Sequence, residues 1–192
     1  MRTNEYVLSL MAIISGLAIT DLISSLHRLL RARQRVRWDW LPLLVAVFAG
    51  MALTVSWFIS WQVNKVQDYN PTLWRFFFLT LGQLVPLYLA AAAALPDEVP
   101  AAGLDLKQFY ADNCRYIWGA FTAMMVMFII TGSVLQLTRG EYRGAALNVV
   151  RTPFLLPTLL LAIVPNRRLH SILVPATVIA ALVFVFRMQL NQ

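Results

Sequence analysis

Six apolar runs separated by short polar segments take up most of the chain. A helix that crosses a bilayer needs about 20 predominantly apolar residues, and the runs are of that size: residues 6–26, 40–61, 72–95, 116–137, 145–164 and 169–186. Their ends carry helix signals. Asp39 precedes the second run as an N-cap, and Asn70-Pro71 opens the third with a capping residue and a proline at the first helical position. Ahead of the fourth, Asp105 stands three residues before Gln108, a capping-box variant. It predicts a short interfacial helix with Leu106, Phe109 and Tyr110 on its apolar side. The fifth run is the irregular one: only residues 153–164 are uninterrupted, and spanning length means extending back to Ala145 through Arg151 and Asn148. Pro175 interrupts the sixth. The pattern predicts an all-α polytopic membrane bundle, a single transmembrane domain over residues 1–192 with six transmembrane helices. Five spans plus a re-entrant fifth segment is the alternative.

Composition closes off a soluble reading. Of 192 residues, 59% are hydrophobic and 13% charged, where soluble domains carry roughly 25% charged residues. Mean hydropathy is +0.66, and a soluble domain of this size has too little interior for that much apolar surface. The first run ends in arginines rather than a small-residue cleavage site, so a retained helix is expected in place of a cleaved signal peptide. The net charge of +7 comes largely from arginines at the ends of apolar runs, the placement of topology signals. No nucleic-acid partner is expected, because no soluble element is left to enter a groove. The partners expected are the lipid bilayer, anionic lipid headgroups along Arg28, Arg31, Arg33, Arg35 and Arg37, and a second copy or another membrane protein.

With the N-terminus outside, the inner loops hold Arg28, Arg31, Arg33, Arg35, Arg37, Lys107, Arg115, Arg167 and Arg168, nine in all. The outer set holds Arg2, Lys65, Arg75, Arg139, Arg143, Arg151 and Arg187, seven. The five arginines of the first inner segment favour this orientation, with a periplasmic N-terminus in a bacterial-type inner membrane. Trp38, Trp40, Tyr110, Tyr116 and Trp118 then make the inner aromatic belt, and Trp61, Tyr69 and Trp74 the outer one.

Against this apolar background a few polar residues stand out. A carboxylate within a span costs about 2.5–3.5 kcal/mol on insertion scales, which singles out Asp21. With Ser24, Ser25 and Arg28 it makes a polar strip, readable either as the wall of a cation-responsive vestibule or as a packing feature near the headgroups. The same helix carries Ala12, Gly16, Thr20 and Ser24 at four-residue spacing, a stripe along which another helix can approach closely. In the third run Pro86 deprives the Gly82 carbonyl of its helical partner beside Gln83, which offers either a solute contact or a kink satisfied by a neighbouring helix. Arg151 either snorkels to the outer face or marks a broken helix. His27 and His170 read as interfacial polar residues, and neither has a carboxylate or cysteine at metal-ligand spacing. Cys114, the one cysteine, excludes an internal disulfide. No cofactor, metal site or catalytic group is expected.

Rhomboid-type intramembrane proteases also have six helices, with a Gly-x-Ser-Gly serine on the fourth and a histidine on the sixth. This chain has Gly132-Ser133-Val134 without that arrangement of glycines, and His170 at a helix end. A serine and a histidine must lie within hydrogen-bond reach to work together, which these depths do not favour, so no enzyme is expected. The strings Gly16-Leu17-Ala18-Ile19-Thr20-Asp21-Leu22, Leu26-His27-Arg28-Leu29-Leu30-Arg31 and Pro96-Asp97-Glu98 leading to Asp105-Leu106 and Phe109-Tyr110 resemble a group of uncharacterised bacterial inner-membrane proteins of about 200 residues. The resemblance covers the first two-thirds of the chain and implies a bacterial inner membrane, without an activity. The function expected is a channel or transporter for a small ion or solute, its polar pathway drawn from Asp21, Ser24, Ser25, Arg28, Gln83 and Arg151. The alternative is a non-transporting sensor or scaffold subunit that meets lipid or a cytoplasmic partner through its basic segment.

Overall fold

The computed structural model describes residues 3–66, 73–138 and 154–190. Six α-helices make up most of them: α1 (Thr3–Arg31), α2 (Trp40–Val66), α3 (Leu73–Ala93), α4 (Leu106–Thr138), α5 (Leu155–Ile163) and α6 (Arg167–Leu190). Four are long and apolar enough to cross a membrane, over Leu8–Arg31, Trp40–Trp61, Leu106–Val134 and Arg167–Phe186. The expected six spans are therefore four of spanning length and composition among the described residues. The apolar part of α3, Leu79–Ala93, is shorter. At about 1.5 Å per residue, the nine residues of α5 cover about 14 Å, under half of a hydrocarbon core about 30 Å thick. Residues 139–153, with Asn148, Arg151 and Pro153, lie outside the described residues, as does Asn70-Pro71. The short helix expected to start at Asp105 and lead into the fourth span forms the opening turns of one continuous 33-residue helix, α4.

Helix direction sorts the ends. α1, α3 and α5 finish where α2, α4 and α6 begin, so the connections between them gather at one end of the bundle, here called the cap. Two of these connections pair directly. Val36–Arg37 (β1) and Leu104–Asp105 (β2) form a two-residue parallel bridge, Val36 opposite Leu104 and Arg37 opposite Asp105. In the bundle α3 lies along both α1 and α4, α4 also carries α5, and α2 packs against α1 and α6.

Lipid is as apolar as leucine, so helices in a bilayer associate by close packing rather than by a hydrophobic driving force. Ala90 and Ala91 at the cap end of α3, and Ala94 just beyond it, are fully buried and allow close approach there. Across α2 and α4 the rings of Phe48, Trp118 and Phe121 interlock at centroid separations of 5.0–5.9 Å. Threonines inside the helices return their hydroxyls to carbonyls four residues back, as Thr20 does to Gly16, Thr54 to Gly50, Thr122 to Trp118 and Thr177 to Leu173. This satisfies a polar group that lipid cannot.

Two glycines separate cap from stripe. Gly103 closes a turn onto the Pro100 carbonyl at 3.0 Å, has φ +95°, and a Cβ there would lie 2.9 Å from the Arg35 carbonyl oxygen. Only glycine suits both the left-handed backbone and the close approach. A Cβ on Gly16 would meet nothing within 4 Å. Gly103→Ala is expected to lower unfolding stability by about 1–3 kcal/mol, while Gly16→Ala raises it by up to about 1 kcal/mol through helix propensity. Thermal unfolding in detergent checks both; an unchanged melting temperature for Gly103→Ala contradicts the close Arg35–Gly103 packing.

Candidate functional site

Helix ends leave backbone donors and acceptors unpaired, and at the cap side chains satisfy several of them together with the local charges. Asp39 N-caps α2 as the sequence predicts, its Oδ1 accepting from the Leu41 amide at 2.9 Å. Its Oδ2 takes a hydrogen bond from Arg167, the first residue of α6. One carboxylate thus holds the starts of two helices. Its side chain is 7% exposed against 44% for Arg167, so the acid is buried while the guanidinium reaches outward. Charge-assisted bonds on both oxygens offset its desolvation.

Beside this pair lies a buried relay centred on Tyr110, in the second turn of α4. Trp118 Nε1 donates to the Tyr110 hydroxyl at 2.8 Å. That hydroxyl meets His170 Nδ1 at 2.7 Å, and His170 Nε2 meets the Val164 carbonyl oxygen at 2.9 Å. An indole N–H can only donate and a carbonyl only accept, which gives the chain a direction. Tyr110 receives from Trp118 and donates to His170 Nδ1, and the neutral Nε2–H tautomer donates to Val164. Every polar atom named has a partner, the Tyr110 hydroxyl both accepting and donating, and the relay joins α4, the exit of α5 and α6. It corrects the sequence reading of three residues. His170 is buried rather than interfacial, and Tyr110 and Trp118 are buried rather than part of an aromatic belt. Trp38, Trp40 and Tyr116 are exposed, as a belt requires.

The other cap connections are fastened similarly. Ser25 Oγ donates to Asp97 Oδ1 at 2.9 Å, and Arg28 donates to Ser25 Oγ at 3.2 Å and to Asp97 at 3.5 Å. Asp105 N-caps α4 by accepting from the Lys107 and Gln108 amides at 2.8 and 3.3 Å. Its other oxygen lies 4.0 Å from Arg37. Gln108 turns to Asp112 at 2.9 Å instead of reaching back as a capping box would.

The sequence-predicted polar pathway is therefore divided. Ser25 and Arg28 belong to the cap latch. Asp21 and Ser24 are half-buried, and Asp21 makes no hydrogen bond or ion pair among the described residues. Gln83 is half-buried in α3, where the adjacent Gly82 leaves room for Met127 of α4. Met11 packs with Leu84 and Ser25 bonds Asp97, so α1 and α3 run parallel and Gln83 lies about level with Leu10. Asp21 is eleven residues further along α1, about 16 Å at 1.5 Å per residue. Arg151 lies outside the described residues. Ala12, Gly16 and Thr20 are exposed among the described residues; α1 buries Met11, Ser15, Ala18, Ser25 and Leu29 instead. Among the described residues the stripe packs against no other helix.

The Ser133–His170 pairing considered above is not formed. His170 bonds Tyr110, and Ser133 lies 23 residues further along the same helix, about 35 Å away at 1.5 Å per residue. Cys114 is buried with its thiol directed to the Ala111 carbonyl. Among the described residues no three histidine, cysteine or acidic side chains gather as a metal site. No protein-family model, curated protein or solved structure matches the chain.

The relay is testable by deletion of one atom. Tyr110→Phe leaves the Trp118 indole and His170 Nδ1 without their partner, and at about 1–3 kcal/mol per orphaned buried group it should cost about 2–6 kcal/mol in a denaturation series. A loss under about 0.5 kcal/mol, well below that range, would show that the relay is not formed. At Asp39 two functions separate: Asp39→Asn keeps a capping side chain and loses the charge, whereas Asp39→Ala loses both. The alanine variant should be less stable by about 1 kcal/mol more. Equal losses would assign the whole effect to the Arg167 pair.

Proposed function

We propose that the protein is a non-transporting membrane subunit, a helical scaffold that carries a fastened, basic polar cap at the cytoplasmic face of a bacterial inner membrane. The orientation is inferred from charge. Arg28, Arg31, Arg33, Arg35, Arg37, Lys107, Arg115, Arg167 and Arg168 all belong to the cap end of the helices, and basic residues mark the cytoplasmic side. The observation that carries the scaffold reading is how the polar side chains are used. Ser25, Arg28, Arg37, Asp39, Asp97, Asp105, Tyr110, Arg167 and His170 are engaged in bonds that hold connections and helix ends together.

A conduit needs polar groups that succeed one another across the membrane and stay available to a passing solute. Asp21 and Gln83 are well separated along the axis, and apart from Ser15 the buried side chains that α1 and α3 place between them, Met11, Ala18, Leu84, Leu87, Ala90 and Ala91, are apolar. This supports the scaffold over the transporter.

Proteoliposomes containing the folded protein are expected to show the same proton and cation leak as empty vesicles after a pH jump, and Asp21→Asn should change nothing. Flux above the empty-vesicle rate that collapses in Asp21→Asn would overturn the scaffold and establish Asp21 as a pathway residue.

A further inference from the structure

We infer that Arg31, Arg33 and Arg35 form a ledge that binds the phosphate groups of anionic phospholipids in the leaflet on the cap side. The inference deepens the scaffold reading and rests on it for orientation. The cap's charges divide in a way that composition does not reveal. Arg28, Arg37 and Arg167 are committed to Asp97, Asp105 and Asp39. Asp112 accepts from Gln108, which leaves Glu98 as the one cap acid without a partner among the described residues. Arg31, Arg33 and Arg35 are exposed and take part in no ion pair among the described residues. The first inner segment therefore has two classes of arginine: its ends hold the cap together and its middle three present uncompensated charge.

The local fold presents them outward. Ala32 and Val36 are drawn into the core cluster, four residues apart, and the chain between them makes the 3-10 turn Arg33–Arg35. With Ala32 and Val36 pointing in, the intervening arginines point out. The turn is held from both ends: the Arg35 amide donates to the Ala32 carbonyl at 2.8 Å, and Val36 pairs with Leu104. Gly103 packs against the Arg35 carbonyl from the side. A ledge held this way presents its charges with less backbone entropy to lose on binding than a free loop.

Its neighbours decide the occupant. The ledge begins where the span Leu8–Arg31 ends and stops just before the span Trp40–Trp61 begins, the depth of headgroups. On its two sides Leu30, Trp38 and Trp40 are 52%, 43% and 49% exposed. An acidic protein docking from water would match the charge but leave these apolar side chains uncovered. A phospholipid covers both, its phosphate on guanidinium groups and its glycerol and upper acyl region on the leucine and tryptophans.

The test is a lipid titration of the full chain in neutral detergent, read as the rise in melting temperature with added phosphatidylglycerol or phosphatidylcholine. The native protein should respond to phosphatidylglycerol at lower concentration than to phosphatidylcholine, and the difference should shrink as salt rises. One arginine near an anionic surface contributes about a fivefold preference. Arg31→Gln/Arg33→Gln/Arg35→Gln should therefore raise the half-saturating phosphatidylglycerol concentration by about tenfold or more, with the phosphatidylcholine response unchanged. Because these side chains make no internal ion pair, the variant should melt with the native protein when no lipid is added. Lys107→Gln/Arg168→Gln removes two other cap cations and should shift the response by less than about threefold, below one arginine's share. An equal loss in that control means diffuse attraction to the whole cap and overturns the ledge. So does an unchanged phosphatidylglycerol response in the triple variant, or a full stabilisation by glycerol phosphate alone, which would make the site one for a soluble phosphate. None of these readouts involves flux, so the ledge can fail while the scaffold stands, and the reverse.

Discussion

Asp39 sits where α2 begins, and its two carboxylate oxygens serve two helices, one accepting from the α2 backbone and the other from Arg167 at the start of α6. The rest of the cap follows from the same constraint. Helices that end together bring their unpaired backbone groups and flanking charges to one level, where the environment changes from lipid to headgroup. Each buried polar atom there has to find a partner or bear its desolvation. The partners are found between connections: Ser25 with Asp97, Arg37 with Asp105, and Tyr110 with Trp118 and His170. A bundle whose helices gain little from apolar contact in lipid acquires much of its specificity in this polar layer, since a shift of α6 by one turn breaks both the Arg167 pair and the His170 bond.

How much of this was legible in the sequence depends on how local each signal is. The long helices are written in the length of apolar runs, and the Asp39 and Asp105 caps in a single residue type at a single offset from a run; both caps are present. The arginine-rich turn and the exposed Trp38 and Trp40 also follow from adjacent residues. The relay does not, because Tyr110 and His170 are 60 positions apart and each looks like an interfacial residue beside a span. Ser25 and Asp97 are 72 positions apart, so the serine joined a strip on its own helix instead. A two-residue parallel bridge has no period to detect. The fifth run is described only from residue 154 onward, as the short α5, and its extension back to Ala145 lies outside the described residues.

The division of arginines shows why composition alone misleads. Five basic residues in one segment look like a uniform topology signal, yet two are consumed by acids on the connection between α3 and α4. That connection carries Asp97, Gly103 and Asp105, and each touches the α1–α2 connection: Asp97 through Ser25 and Arg28 at the end of α1, Gly103 at the Arg35 carbonyl, and Asp105 at Arg37. The two connections are therefore joined into one folded unit by contacts between segments far apart along the chain.

Hydrogen–deuterium exchange on the full chain in lipid nanodiscs addresses that unit directly. Amides of residues 32–41, 97–108 and 164–170 should exchange slowly and together, at rates close to those of the buried helix turns around Trp118. Rapid exchange across residues 97–105 while the helices stay protected would show that the cap is an open loop layer, and the scaffold built on it would have no structural basis.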